Sequence, residues 1–289
     1  MMPSARPSAD SRKLTAMDKT PHLADAHPPR EIAGMVERLG VAKAQMDTVT
    51  LVVLAVLAGA FISLGALLFT VIVTGSGLGF GVTRLLGGLG FSLGLVLVVV
   101  AGAELFTGNN LLAMAWASRL IGTRDVLRNW FLAYLGNVAG CLGTVLFILW
   151  ADTGSMGAGA VGETAVQIAR AKADLSLGEA FARGVLCNAL VCLAVWLAMG
   201  GRSVTDKILA IVFPITAFVA LGFEHSIANW FFLPYGLALD QQGAVSVAGI
   251  ARNLAAVTAG NIVGGTLLVA GVYWVAYLRG GHEDKGPPS

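Results

Sequence analysis

Charge is the first thing this chain lacks. Only 12% of its 289 residues are Asp, Glu, Lys or Arg, about half the roughly 25% of a soluble domain. Its mean hydropathy is +0.76 and 56% of its residues are hydrophobic. So few charges cannot cover a water-facing surface, which makes lipid the expected solvent. Cysteine is scarce too. Cys141, Cys187 and Cys192 lie inside apolar runs without metal-ligand spacing, as small core residues do. No Gly-rich phosphate loop, Cys/His cluster or nucleophile–base pair appears, so no enzyme, metal or cofactor is expected. Duplicated Asn-Pro-Ala is missing, and with it the motif of an aquaporin-type pore. A dense basic cluster for nucleic acid is absent, and no signal-peptide pattern precedes the first long apolar run near Thr48.

What is present is a series of apolar runs. A bilayer core of about 30 Å needs roughly 20 apolar residues per helix. The pattern predicts six spans, over 48–74, 83–121, 129–151, 179–200, 207–236 and 249–278. The second is too long for one straight crossing, and the fifth carries a polar interruption. Residues 1–47 read as a polar tail with a short amphipathic, interfacial segment, 48–278 as the membrane domain, and 279–289 as a second tail. Basic residues concentrate in the tails and in two connections, Arg119–Arg128 and Arg202–Lys207. By the positive-inside rule both termini face the cytoplasm of a bacterial inner membrane.

The two halves resemble each other. Gly102-Ala-Glu104-Leu-Phe-Thr-Gly-Asn109 matches Gly222-Phe-Glu224-His-Ser-Ile-Ala-Asn229, 120 residues on. Arg128-Asn129, Gly136-Asn137 and Gly140 match Arg252-Asn253, Gly260-Asn261 and Gly264, 124 residues on. Each half holds three spans, so the second copy is expected to be inverted. Transport sites in such folds lie at the repeat interface and use interrupted helices. The two Gly-x-Glu-x4-Asn segments are the predicted interruptions, because irregular polar backbone survives at membrane depth only where it lines a cavity or is buried in protein. Their free N–H groups and helix-dipole ends suit an anion.

His225 is the one intramembrane histidine. Such a group can be a satisfied core residue, or it can donate to an anion and pass a proton, since imidazole titrates near neutral pH. Glu104 and Glu224 read as proton relays or, given their matched positions, as groups that hold their loops in shape. Asn137 and Asn261 read as ties between helices. Lys172, in the connection between the third and fourth spans, is either surface charge or a field that draws anions inward. Asn188 can be helix glue or an amide that meets an anion's oxygen. Phe91, Leu95 and Phe218 fit either ordinary packing or a hydrophobic gate.

At these residues the chain resembles the formate/nitrite transporter family. The carrying motifs are Phe91-Ser-Leu-Gly-Leu95, Ala101-Gly-Ala-Glu-Leu-Phe-Thr-Gly-Asn-Asn110, Gly184-Val-Leu-Cys-Asn-Ala-Leu-Val-Cys-Leu-Ala-Val-Trp196 and Gly222-Phe-Glu-His-Ser-Ile-Ala-Asn229. The match runs from about residue 30 to 278. The resemblance implies an all-α, six-helix, aquaporin-like protomer with broken second and fifth helices, assembled as a homopentamer in the lipid bilayer. It implies passage of formate, nitrite or hydrosulfide, often with a proton. Its pore residues fall on His225, Thr107, Asn188 and Lys172, with Glu224 before the histidine. Its constriction falls on Phe91, Leu105, Phe106, Val191 and Phe218. Formate is the expected substrate and nitrite or hydrosulfide the alternative. A membrane anchor or sensor without an open pore is the reading from another class.

Overall fold

The computed structural model describes residues 26–279, which are helical with no strand among them. Helix α1 runs Pro29–Ala44, α2 Thr48–Val73 and α3 Phe80–Ala101. An irregular stretch then leads to a 3-10 turn, Gly108–Leu112, and the short α4, Ala113–Ala117. Helix α5 runs Thr123–Trp150, α6 Ala160–Ala173, α7 Leu177–Gly200, α8 Val204–Ala220 and α9 Ser226–Leu239. Helix α10, Val247–Val263, continues through a π segment, Gly264–Gly271, into α11, Val272–Tyr277. Five helices are long and apolar enough to cross a membrane: α2, α3, α5, α7 and the combined 247–277 helix. The sixth crossing is split between α8 and α9.

Side chains mark the helix starts. Asp47 caps α2 by accepting from the Thr50 amide at 3.0 Å, which holds its carboxyl below the usual value. Ser176 and Glu179 form a capping box at α7, and Ser203 and Asp206 form one at α8. The two breaks are built alike. α3 ends at Ala101, directly before Gly102 at φ 83°, and α8 ends at Ala220, two residues before Gly222 at φ 74°. Both glycines occupy the left-handed region that stops a helix and turns the chain.

The repeat is one helix larger per half than the spans alone indicate. α1 precedes α2 as α6 precedes α7. α1 is docked on the bundle, with Ile32, Ala33, Val36 and Ala44 buried. The boundary expected at residue 47 therefore divides a packed unit. α6 replaces the expected connection between the third and fourth spans, and it buries Val161, Ala165, Ala169 and Ala173. Residues 1–25 and 280–289, which hold most of the expected tails, lie outside the described residues.

Candidate functional site

Two vestibules open at opposite ends of α3 and α8. One is lined by Arg84 near the start of α3 and by Phe218 and Val219 near the end of α8, together with Lys172, Arg183, Glu224 and His225. The other is lined by Val98, Val99 and Gly102 at the end of α3 and by Lys207 at the start of α8, together with Lys43, Glu104 and Leu105. The two cavities measure about 190 and 230 Å³. They are called here the Lys172 and Lys43 vestibules.

Each vestibule carries the same polar network. Lys172 Nζ donates to Glu224 Oε1 at 2.9 Å. Asn229 Nδ2 donates to Glu224 Oε2 at 2.7 Å and to Asn253 Oδ1 at 2.8 Å, and Asn253 Nδ2 donates to the Lys172 carbonyl at 2.9 Å. On the other side Lys43 Nζ lies 2.8 Å from Glu104 Oε1. Asn109 Nδ2 donates to Glu104 Oε2 at 2.8 Å and to Asn129 Oδ1 at 2.9 Å, and Asn129 Nδ2 donates to the Lys43 carbonyl at 3.0 Å. The copies differ in two contacts: Asn253 Nδ2 also approaches Glu224 Oε2 at 3.4 Å, a bond its mate Asn129 does not make to Glu104, and the lysine contacts diverge. Lys43 also donates to Asn109 Oδ1 at 2.9 Å, whereas Asn229 Oδ1 takes no hydrogen bond from the protein.

The next layer inward fixes the breaks. Asn137 Nδ2 donates to the carbonyls of Ala55 and Glu104, at 2.7 and 2.9 Å, and its Oδ1 accepts from the Phe106 amide at 2.9 Å. Asn261 repeats this on the carbonyls of Gly184 and Glu224, at 2.8 and 3.0 Å, and on the Ser226 amide at 2.8 Å. Each asparagine thus satisfies backbone that a broken helix leaves unpaired.

Between the vestibules the symmetry stops. His225 caps α9: its Nδ1 accepts from the Ala228 amide at 3.1 Å. That bond assigns the ring proton to Nε2, which donates to Thr107 Oγ1 at 3.0 Å. The Thr107 hydroxyl proton remains to offer elsewhere. The Phe218 ring stacks on His225 at 6.0 Å and meets Phe91 edge-on at 5.5 Å. Lys172 Nζ stands 5.2 Å over the Phe232 ring.

Not every residue singled out in the sequence faces a vestibule. His225, Lys172, Glu224, Phe91 and Phe218 line one, and Leu95, Leu105 and Glu104 line the other. Asn188 is fully buried. Its Nδ2 lies 2.7 Å from the Asn110 Oδ1 and Asn261 carbonyl and 3.2 Å from the Thr107 carbonyl, so it buttresses the first break from behind. The Phe106 ring packs edge-on against Tyr134 at 5.0 Å and Trp130 at 6.3 Å. Val191 lies in the same buried apolar cluster as Phe91, Leu95 and Leu105. Lys43 went unnoticed in the sequence. It stands five residues before Thr48, as Lys172 stands five before Leu177, and Glu104 needed a cation as its mate Glu224 did.

Comparison with known proteins agrees with this geometry. The family profile described as "Formate/nitrite transporter" matches residues 30–275. "Formate channel FocA" of Escherichia coli strain K12 is 41% identical over 270 residues, covering 87% of this chain and 94% of that protein. A "Probable formate transporter" of Methanothermobacter thermautotrophicus is 40% identical over 268 residues, covering 87% and 97%. Among solved structures, a "Pentameric formate channel with formate bound" aligns with TM-score 0.74 at 36% identity, over 80% of this chain and 98% of that one. An "FNT family ion channel" aligns with TM-score 0.78 at 29% identity, over 85% and 98%.

Proposed function

The chain belongs to the formate/nitrite transporter family, and from that premise we propose that it carries formate across a bacterial inner membrane, with a proton, as a homopentamer of separate pores. The observation that carries the reading is the Thr107–His225 hydrogen bond of 3.0 Å set between two cation-lined vestibules. Both termini are taken as cytoplasmic, which puts the Lys172 vestibule outside and the Lys43 vestibule inside. Formate-named relatives and a formate-bound structural neighbour favour formate over nitrite or hydrosulfide. Exposed apolar side chains such as Phe131, Phe147 and Trp150 suit lipid or a neighbouring copy.

A charged formate is stabilised in a water-filled, cationic vestibule and opposed by the phenylalanine constriction, which offers no replacement for its hydration. A proton removes that opposition. His225 Nε2 can pass its proton toward Thr107 and the anion only if another proton reaches Nδ1. That step breaks the Nδ1 bond to the Ala228 amide. Proton passage is therefore tied to a small movement at the start of α9. Formic acid then crosses as the neutral species and ionises on the far side.

The test is flux into proteoliposomes for formate, nitrite, hydrosulfide and chloride, with and without a pH gradient. The reading expects formate uptake that rises when the source side is acidified. His225→Asn should remove that pH response. A response unchanged by His225→Asn removes the histidine from the proton path, and chloride passing as fast as formate removes the weak-acid mechanism.

A further inference from the structure

Three cations line the vestibules outside the two lysine–glutamate pairs, and two of them, Arg84 and Lys207, stand near the starts of the helices that carry the breaks. Arg84, in the second turn of α3, faces the outer vestibule, and Lys207, in the first turn of α8, faces the inner one. Both lie in the opening turns of these two helices, as the fifth residue of α3 and the fourth of α8. The Arg84 guanidinium donates to the carbonyls of Val219 and, at 3.3 Å, Ala220, at the C-terminal end of α8. It stands 5.6 Å over the Phe69 ring. Lys207 shares its vestibule with Val98, Val99 and Gly102, at the C-terminal end of α3. Among the described residues, neither cation has a carboxylate at ion-pair distance.

That last fact decides where each vestibule's net field comes from. Lys172 sits 2.9 Å from Glu224, and Lys43 sits 2.8 Å from Glu104. Each pair is close to neutral a few ångströms away, because its two opposite charges cancel at a distance. Beyond its lysine–glutamate pair the outer vestibule is lined by Arg84 and by Arg183, whose charge Glu179 offsets in part, and the inner vestibule by Lys207. Arg183 is where the repeat departs from itself. Its carbonyl accepts from the Glu224 amide at 3.3 Å, as the Leu54 carbonyl accepts from Glu104 at 3.2 Å, so its mate is an uncharged leucine.

We propose that Arg84 and Lys207 are a second, matched pair of anion-collecting residues, one per mouth, and that Arg183 biases capture toward the outer mouth. Charge in a low-dielectric funnel raises the local anion concentration and the rate of entry, and salt erases the effect. The paired lysines then hold the broken segments in shape, while the unpaired cations set how fast anions arrive. The proposal rests on reading the chain as a formate pore, and formate flux by the unmodified protein checks that reading separately.

The experiment measures initial formate flux in right-side-out and inverted membrane vesicles, at low and high potassium gluconate, for the unmodified protein, Arg84→Gln, Arg84→Lys, Arg183→Gln and Lys207→Gln. At about 10 mM salt, Arg84→Gln and Arg183→Gln are expected to slow entry from the outer face roughly three- to tenfold, and Lys207→Gln entry from the inner face. At about 1 M, where the screening length is about 3 Å, each loss shrinks below twofold. Arg84→Lys keeps the charge and stays near the unmodified rate. Losses that are equal at both faces and indifferent to salt would make Arg84 and Lys207 structural and overturn the proposal. So would unchanged flux in all the glutamine variants. Absence of formate flux in the unmodified protein removes the pore reading and the proposal with it.

Discussion

At the scale of single residues, the two lysine–glutamate pairs put charge where water is scarce. The Lys172 and Glu224 side chains are only 16% and 5% exposed, and those of Lys43 and Glu104 18% and 7%. Removing one member leaves an uncompensated buried charge, at a cost of about 3 kcal/mol or more, whereas removing both is far milder. Lys172→Met is therefore expected to lower the thermal midpoint of the detergent-solubilised protein by several degrees. Lys172→Met combined with Glu224→Gln should regain most of that loss. A double variant no more stable than the single one would show that the stranded Glu224 charge is not the source of the loss. The residue scale is also where the sequence was least legible. Lys172 stood as either surface charge or an anion-drawing field until family resemblance favoured the second, and Lys43 did not emerge, because a lysine in a polar stretch looks like solvated charge until its glutamate is known. Asn188 left two readings open, and its placement behind Thr107 followed from a fold that spacing alone does not supply.

At the scale of elements, close helix approach governs which substitutions the bundle accepts. A Cβ on Gly140 would stand 2.0 Å from the Val56 carbonyl, and one on its repeat mate Gly264 2.1 Å from that of Val185. Gly143, one turn further along α5, faces open space. Gly140→Ala should thus separate α2 from α5, disturb the Asn137 bond to Ala55, and lower both the thermal midpoint and formate flux. Gly143→Ala should be neutral or stabilising by up to about 1 kcal/mol, since alanine favours the helix. Equal effects of the two changes on thermal unfolding would contradict the packing argument. The six crossings and both breaks were readable, because long apolar runs and a repeated Gly-x-Glu-x4-Asn are strong signals. Helix α6 was not. It buries three alanines and one valine on one face, but as a whole it is too polar to register among the long apolar runs that mark crossings. The start of α5 at Thr123 rather than 129 reflects a polar helix end, with the Gly122 amide donating to Asp125 at 2.9 Å, that hydrophobicity does not mark.

At the scale of the whole molecule, two cavities that each hold a lysine–glutamate pair lie on either side of a cluster of buried phenylalanine and leucine side chains, and under the proposed function that cluster decides what form of the substrate can pass. Phe91 and Phe218 meet edge-on at 5.5 Å, Phe91 stacks on Phe232 at 6.5 Å, and Leu95 and Leu105 close the far side. A constriction of this kind obstructs ions by excluding water, and a small neutral acid crosses it more easily. Under the proposed mechanism the unmodified protein moves formate together with a proton, so net flux carries no charge. Imposing a potassium–valinomycin potential on proteoliposomes should then leave its rate nearly unchanged. Replacing both rings, Phe91→Ala with Phe218→Ala, removes the ring stacked on His225 but keeps the His225–Thr107 hydrogen-bond partners, and it widens and wets the passage. Formate can then cross as the anion, so flux should rise, become sensitive to membrane potential, and lose its response to source-side acidity. The changes should appear together, since all follow from letting the charged form through. A double variant that conducts faster yet stays indifferent to potential would place the barrier to the ion elsewhere, at the His225–Thr107 contact itself.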